Sequence, residues 1–328
     1  MAILVTGGAG YIGSHTVKAL QRQGRDVVVL DNLYKGHRQA LKDVPLHIGD
    51  LGDPAFIQGV FEKHPVDAVV HFAALSLVGE SVERPDLYFR NNTAYALNLL
   101  DAMVKNGVIN LVFSSTAAVY GEPNNVPIDE AHPKAPTNPY GESKLFVEQI
   151  LQRYSEAFGV RSVSLRYFNA AGADPSGEIG EDHQPETHLI PIILQTLLGK
   201  REHIQIFGTD YPTADGTCIR DYIHVNDLSD AHILALDALA RGRETTAYNL
   251  GSGQGFSVRE VIQCVERVTG KQVPVVESPR RPGDPAVLVA SSERIKQDLQ
   301  WDPKYEKLEA IIETAWQWHK EHPDGFAD

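Results

Sequence analysis

Tyr140 and Lys144 stand four residues apart in a stretch with helical character, so both side chains share one helix face. A phenol beside an ammonium suits removal of a hydroxyl proton during hydride transfer, which needs a base near neutrality. Free tyrosine titrates near 10, so the phenol must fall by about three units, worth about 4 kcal/mol. An ammonium about 4 Å away supplies about 4 kcal/mol at an effective dielectric near 20. A positively charged hydride acceptor would push the same way. Ser114-Ser115-Thr116 closes an apolar run that begins at Leu111, and Thr116 can relay the proton or hydrogen-bond the reacting oxygen. Tyr-x-x-x-Lys alone is a weak signal, and its position gives it weight. In an open parallel sheet, ligands bind beyond the carboxyl ends of strands.

The elements that position this chemistry are legible upstream. The apolar run Ile3-Leu-Val5 leads directly into Gly7, Gly10 and Gly13, and a helical pattern follows. Gly7 permits a tight turn, Gly10 lets the backbone approach a pyrophosphate, and Gly13 allows close helix–strand packing. The free N–H groups and positive dipole end of the helix suit the anion. The next apolar run, Asp26–Leu30, ends at Asp31-Asn32. Asp31 lies 18 residues past Gly13, close to the spacing of about 20 for a ribose-binding acid. A carboxylate there accepts from ribose hydroxyls and repels a 2′-phosphate, so the expected cofactor is NAD rather than NADP. Lys35 and Arg38 lie nearby and soften that preference.

The first half alternates strand and helix. Strands are expected at 2–5, 26–30, 46–48, 68–72, 111–114 and 161–166, and helices at 11–23, 54–63, 86–106 and 140–158. That alternation predicts an α/β fold, a doubly wound parallel sheet of Rossmann type with a smaller C-terminal substrate lobe. Residues 1–169 are expected to form the NAD-binding domain, with some later segments returning to it. Residues 170–328 are expected to be mainly the substrate-binding lobe. There, 170–188 reads as a long loop rich in Gly, Pro, Asp and His, of the kind that is usually functional. A helix at 189–199, a strand at 204–207, a polar loop at 208–218 and helices at 226–242, 257–269 and 307–321 follow.

The 328 residues carry a formal charge of −13, which argues against nucleic acid or an anionic membrane as partner. Cys218 and Cys264 show neither metal-ligand spacing nor a disulfide framework, so a reducing, cytoplasmic setting and no metal are expected. The first strand is expected to start at residue 3, so no signal peptide is expected, and no apolar run is long enough to span a membrane.

Across essentially its whole length the chain resembles the extended short-chain dehydrogenase/reductase family and, within it, the UDP-glucose 4-epimerases (UDP-galactose 4-epimerases). Thr6-Gly-Gly-Ala-Gly-Tyr-Ile-Gly-Ser-His15, Val78-Gly-Glu-Ser81, Pro139-Tyr-Gly-Glu-Ser-Lys144 and Leu165-Arg-Tyr-Phe-Asn169 match. More specific is Ile206-Phe-Gly-Thr-Asp-Tyr-Pro-Thr-Ala-Asp-Gly-Thr217, continued by Arg220-Asp-Tyr-Ile-His-Val225. The resemblance implies that tightly held NAD⁺ takes the hydride from C4 of a UDP-hexose while Tyr140 takes the hydroxyl proton. The 4-keto sugar then turns about its diphosphate linkage, and the hydride returns to its other face.

The resemblance extends cofactor binding to Tyr11, Ile12, Asn32, Asp50, Leu51, Phe72, Ala73, Asn91, Ser114 and Tyr167. For substrate it adds Asn169, His188, Leu189, Phe207, Arg220, Arg281, Asp284 and Leu288 to Thr116 and Tyr140. Arg220 and Arg281 would supply the local positive charge that an acidic chain needs for a diphosphate. Ser76 stands where many members carry a lysine and supplies no charge, which implies looser hold on NAD. Leu288 falls at the gate for the sugar 2-substituent; its intermediate size implies preference for plain hexoses with some N-acetylhexosamine turnover. The family also implies a homodimer through helices 86–106 and 140–158.

Other readings use the same residues differently. A 4,6-dehydratase usually has Asp-Glu after the active Thr, and here Ala117-Ala118 occupy those positions. A 4-epimerase of an N-acetylhexosamine, pentose or uronate keeps the whole pattern. A non-catalytic NAD-binding sensor would often lose the Tyr–Lys pair.

Overall fold

The computed structural model describes residues 2–281 and 284–327. In chain order the strands are β1 (Ala2–Thr6), β2 (Asp26–Asp31), β3 (Leu46–Ile48), β4 (Val66–His71), β5 (Asn110–Thr116), β6 (Arg161–Tyr167), β7 (Asn169–Ala171), β8 (Ile204–Phe207), β9 (Ile219–His224), β10 (Thr246–Leu250), β11 (Gly255–Ser257), β12 (Val275–Ser278) and β13 (Val287–Leu288). The helices are α1 (Tyr11–Arg22), α2 (Pro54–Lys63), α3 (Val78–Glu83), α4 (Pro85–Tyr88), α5 (Tyr95–Lys105), α6 (Pro139–Phe158), α7 (Leu189–Leu197), α8 (Val225–Ala240), α9 (Val258–Thr269), α10 (Glu293–Leu299) and α11 (Leu308–Glu321).

Among the described residues, seven strands form one parallel sheet in the order β10-β6-β5-β4-β1-β2-β3. Alternate side chains along each strand serve opposite faces. Val5, Val29, Val70, Val112 and Leu165 face one side, in a core with Leu20 of α1 and Leu228 and Leu236 of α8. Leu4, Leu30, Val69, Leu111 and Phe113 face the other, with Ile57 of α2, Met103 of α5 and Leu151 of α6. Burial on both faces explains the near-continuous apolar runs in the sequence. The expected doubly wound sheet is therefore present.

Strand order reverses about β1: β2 and β3 continue on one side, and β4 starts the other. Such a switch point opens a crevice at the carboxyl ends of the strands. Gly7 leaves β1 there, and Phe72 and Ala73 leave β4. Their N–H groups both donate to the carbonyl of Thr6, at 2.9 and 3.1 Å.

The residues after 170 contribute to two cores. β10 completes the large sheet beside β6, and α8 packs beside α1. The remaining elements surround a separate core that includes Ile193, Ile206, Val265 and Ile312. There β9 pairs with β7 and β13 in parallel and with β11 antiparallel, while β8 pairs with β12. α9 starts in a capping box of Ser257 and Glu260 and stops at Gly270 in the left-handed conformation.

The helix expected over 86–106 is not one α-helix. Between α4 and α5, residues 89–94 form a π-helical stretch. Asn92 explains the wide turn. Its side chain accepts from the N–H of Leu75 at 2.8 Å, and donates to the carbonyl of Leu75 at 2.9 Å and to Ser143 Oγ at 3.0 Å. A buried amide that ties two other segments outweighs a regular helical ladder here, and π-turns recur at functional sites. No helix among the described residues is long and apolar enough to cross a membrane.

Candidate active site

The glycine turn has the geometry a pyrophosphate needs. Gly7 sits at φ 73°, and a Cβ there would lie 2.5 Å from the N atom of Ala73. A Cβ on Gly13 would lie 2.2 Å from the carbonyl oxygen of Gly7. Each contact is with backbone, so the two segments cannot approach this closely unless both positions are glycine. Gly10 caps α1 without any side-chain hydrogen bond, which leaves the first turn, with Tyr11 and Ile12, open to an anion. These features fit a dinucleotide.

Asp31 is buried at the end of β2. Its Oδ2 accepts from the N–H of Ala9 at 2.9 Å, and its Oδ1 from the N–H of Leu33 at 2.8 Å. The carboxylate thus locks the glycine turn to β2 and holds Leu33 at φ 58°. A carboxylate has about four lone-pair sites, so further acceptance remains. Burial pushes its titration up, and the two N–H groups oppose this. Asn32 donates to Asp50 Oδ2 at 2.7 Å, and the buried Leu51 follows on the same wall. Ser76 is exposed.

Tyr140 is at the start of α6 because Pro139 occupies the first helical position and Asn138 caps it, accepting from the N–H of Gly141 at 2.9 Å. The helix face then carries Tyr140 and Lys144 to the end of β5. Thr116 lies close enough to Tyr140 to act on its phenol. Lys144 is 3 % exposed; its Nζ donates to the carbonyl of Ser114 at 2.9 Å and lies 5.0 Å above the ring of Phe113. The hydroxyls of Ser114 and Tyr167 share a hydrogen bond. The structure thus brings Thr116, Tyr140, Lys144, Ser114 and Tyr167 together.

Burial acts on both Tyr140 and Lys144. Burial pushes the Tyr140 phenol up, and Thr116 opposes this. Burial pulls Lys144 down to about 7. Burial thus opposes both the phenolate and the ammonium beside it. Lowering the Tyr140 phenol therefore calls for positive charge beyond Lys144, as a positively charged hydride acceptor beside it would supply.

The expected substrate residues fall into neighbouring groups. Arg220 on β9 pairs with Asp284, and Leu288 on β13 lies opposite Arg220 in the strand register. Leu288 also packs against the small cluster of Val119, Tyr120 and Ile128. Arg281 lies 4.0 Å over the ring of Phe207. Cys218 links the two groups: burial pushes its thiol up, while Arg220, Asp284 and Arg281 all act on it. Asn169 donates to the carbonyl of Asp221 at 2.8 Å. His188 precedes Leu189 and α7, but its Nδ1 is engaged by Glu181 at 2.6 Å rather than left free.

Sequence reasoning missed two groups. One is a buried network behind β5. Arg166 makes two bonds to Glu148, at 2.9 and 2.6 Å, and one to Tyr120 at 2.8 Å. Ser115 donates to Glu148 at 2.6 Å. The only signal was that Arg166 lies inside an apolar strand. The other is a Glu/His group in the loop before α7, signalled by Glu181-x-His183-x-x-Glu186-x-His188.

Residues 3–251 match the NAD dependent epimerase/dehydratase family. The chain belongs to this family. A UDP-glucose 4-epimerase of Halalkalibacterium halodurans is 57 % identical over 327 residues, which cover 100 % of this chain and 98 % of that one. A crystal structure of UDP-glucose 4-epimerase from Brucella ovis in complex with NAD is 47 % identical, with a TM-score of 0.94 over 96 % of this chain and 97 % of that chain. A family member from Bifidobacterium longum, solved with NAD⁺ and UDP, is 39 % identical, with a TM-score of 0.94 over 99 % and 100 %. The glycine turn, Asp31 and the Tyr140–Lys144 face all lie inside the matched family span.

Proposed function

We propose that the chain is an NAD-dependent isomerase that interconverts UDP-glucose and UDP-galactose by transient oxidation at sugar C4. The observation that carries this reading is that α6 brings Tyr140 and Lys144 to Thr116 at the carboxyl end of β5, where Lys144 donates to the carbonyl of Ser114 at 2.9 Å. Gly7, Gly10, Tyr11, Ile12 and Gly13 receive the pyrophosphate of NAD, and Asp31 and Asn32 its adenosine ribose. Asp50, Leu51, Phe72, Ala73, Asn91, Ser114 and Tyr167 line the rest of that cleft. When bound, the cofactor supplies the hydride acceptor and gives the hydride back.

Tyr140 takes the proton from the 4-hydroxyl and later returns it, Thr116 holds the reacting oxygen, and Lys144 positions both. Arg220 and Arg281 grip the diphosphate by charge-assisted hydrogen bonds. Asn169, His188, Leu189, Phe207, Asp284 and Leu288 complete the sugar and uridine pocket. Residues 1–169 mainly serve the cofactor and 170–328 mainly the substrate, in a cytoplasmic enzyme.

The test is to incubate the purified chain with UDP-galactose, with and without added NAD⁺, and follow UDP-glucose. Conversion in either tube supports the reading. Dependence on added NAD⁺ supports the loose hold implied by Ser76. No conversion in either tube rejects this substrate pair. UDP-N-acetylgalactosamine is expected to turn over more slowly through Leu288, and its complete inertness at high enzyme would reject that allowance.

A homodimer through the α4–α5 and α6 faces suits the exposed Phe146 and Phe158 of α6, which are 42 % and 55 % accessible. The sedimentation mass is expected to be that of two chains, and a monomer mass would reject it.

A further inference from the structure

The loop before α7 gathers ionisable side chains that the proposed proton and hydride steps do not require. Glu181, His183, Glu186 and His188 each present one oxygen or nitrogen, and these four atoms all lie within 4.8 Å of one another. Glu181 Oε1 is 2.6 Å from His188 Nδ1 and 3.3 Å from His183 Nδ1. Glu186 Oε1 is 3.4 Å from His188 Nδ1, and its Oε2 is 3.8 Å from His183 Nδ1. Four ligands about 2.0–2.1 Å from a central cation stand about 3.3–3.4 Å apart at the corners of a tetrahedron. With Oε2 as the ligand atom of Glu186, the separations of 3.3 Å from Glu181 to His183 and 3.8 Å from His183 to Glu186 come close to those edges. The short contact of 2.6 Å is a hydrogen bond that opens when a metal takes the place of the imidazole proton.

An independent observation points the same way. Glu186 is only 6 % exposed, and its Oε2 has no hydrogen-bond partner among the described residues. The buried Nδ1 of His183 has none either. Glu186 Oε1 accepts from the N–H groups of Thr187 and His188 at 2.7 and 2.8 Å, so Oε2 is the oxygen left over. Leaving a buried carboxylate oxygen unpaired is costly, and it lies 3.8 Å from His183 Nδ1 within the group. We propose that Glu181, His183, Glu186 and His188 form a structural site for one divalent transition-metal ion, best suited to Zn²⁺. Two imidazoles and two carboxylates match zinc or cobalt, whereas calcium and magnesium take oxygen ligands almost exclusively.

The site joins three parts of the molecule. Tyr11, in the first turn of α1, donates to the carbonyl of Gly172 at 2.6 Å, and its ring meets that of His183 edge-on at 6.1 Å. Trp318 of α11 donates to the carbonyl of Glu181 at 3.4 Å. Gly180 is pressed against the same indole: a Cβ there would lie 2.2 Å from it. His188 leads directly into α7. A bound ion would clamp this loop over the glycine turn and so fix the cofactor cleft against the second core. The proposal does not depend on which sugar is turned over.

The experiment uses the full chain, dialysed against EDTA and then titrated with Zn²⁺ or Co²⁺. One zinc per chain should remain after gel filtration, cobalt should give the visible bands of four-coordinate Co²⁺, and zinc should raise Tm. Glu186→Gln keeps the shape of the side chain, and His183→Gln is a second variant in case the first folds poorly. Each should weaken zinc binding by more than about 100-fold, since even outer-shell partners of a metal are worth about 10–100-fold. His47 and His64, whose Nε2 atoms are 2.7 Å apart, are a second place where a divalent ion can attach. His64→Gln must therefore leave the response intact. Zinc well below one per chain, no four-coordinate cobalt bands, or equal binding by wild type and both loop variants would overturn the proposal.

Discussion

Replacing Tyr140 by Phe is expected to lower kcat by about 10²–10⁴-fold, the usual worth of a positioned acid–base group. The expectation rests on a single oxygen. The phenol is the group beside Thr116, and its ring packs edge-on against Tyr88 at 6.4 Å. Phe keeps the ring and that packing, so α6 should remain in place. Lys144 should keep its bond to Ser114, because that bond ends on the main chain. NAD content and the denaturation midpoint should therefore match wild type while turnover collapses. Thr116→Val should have a smaller effect, since its hydroxyl orients the reacting oxygen and also accepts from the N–H of Ala118 at 3.1 Å. A Tyr140→Phe enzyme within about tenfold of wild-type kcat would remove Tyr140 from the chemistry, because that loss lies below the range for a working base.

How far the sequence carried depended on how local each signal was. The glycine turn, Asp31 and the Pro139-Tyr140 helix start are set by neighbours along the chain, so spacing alone places them. The strands of the parallel sheet were legible because burial on both faces forces continuous apolar runs. β10 was not, since Thr246-Ala-Tyr-Asn-Leu250 mixes polar and apolar residues and gains its place only by pairing with β6. β7, β11 and β13 span two or three residues each, too few to show a period. The π-stretch at 89–94 depends on Asn92 reaching Leu75 and Ser143, contacts that no helical periodicity encodes. The pull of burial on the Lys144 ammonium was not legible for a related reason. Its depressed titration comes from burial in the folded chain, which only packing reveals. The substrate groups on β9 and β13 meet across the fold, and resemblance rather than spacing located them.

The buried network behind β5 yields the second large effect. Arg166→Met alone, or Glu148→Gln alone, is expected to destabilise the fold by about 3–5 kcal/mol, because each leaves the partner buried without its counter-charge. The two side chains are 4 % and 9 % exposed, so solvent cannot substitute for the lost group. Burial would pull the Arg166 guanidinium down, but Glu148 and Tyr120 more than offset this and hold it above its usual range. The double variant is expected to recover a good part of the loss, since replacing both members of a buried pair is often close to neutral. Urea denaturation of the two single variants and the double variant measures the coupling directly.

The same network explains why stability and catalysis are linked here. Ser115 donates to Glu148 from the strand position between Ser114 and Thr116, and Glu148 lies on the helix that carries Tyr140 and Lys144. The pair thus fastens α6 to the end of β5, where the reacting groups must meet. A double variant that regains stability but not kcat would show that the network sets geometry rather than merely adding energy. If instead each single change cost less than about 1 kcal/mol, the worth of an exposed pair, the network would not be the fastening described.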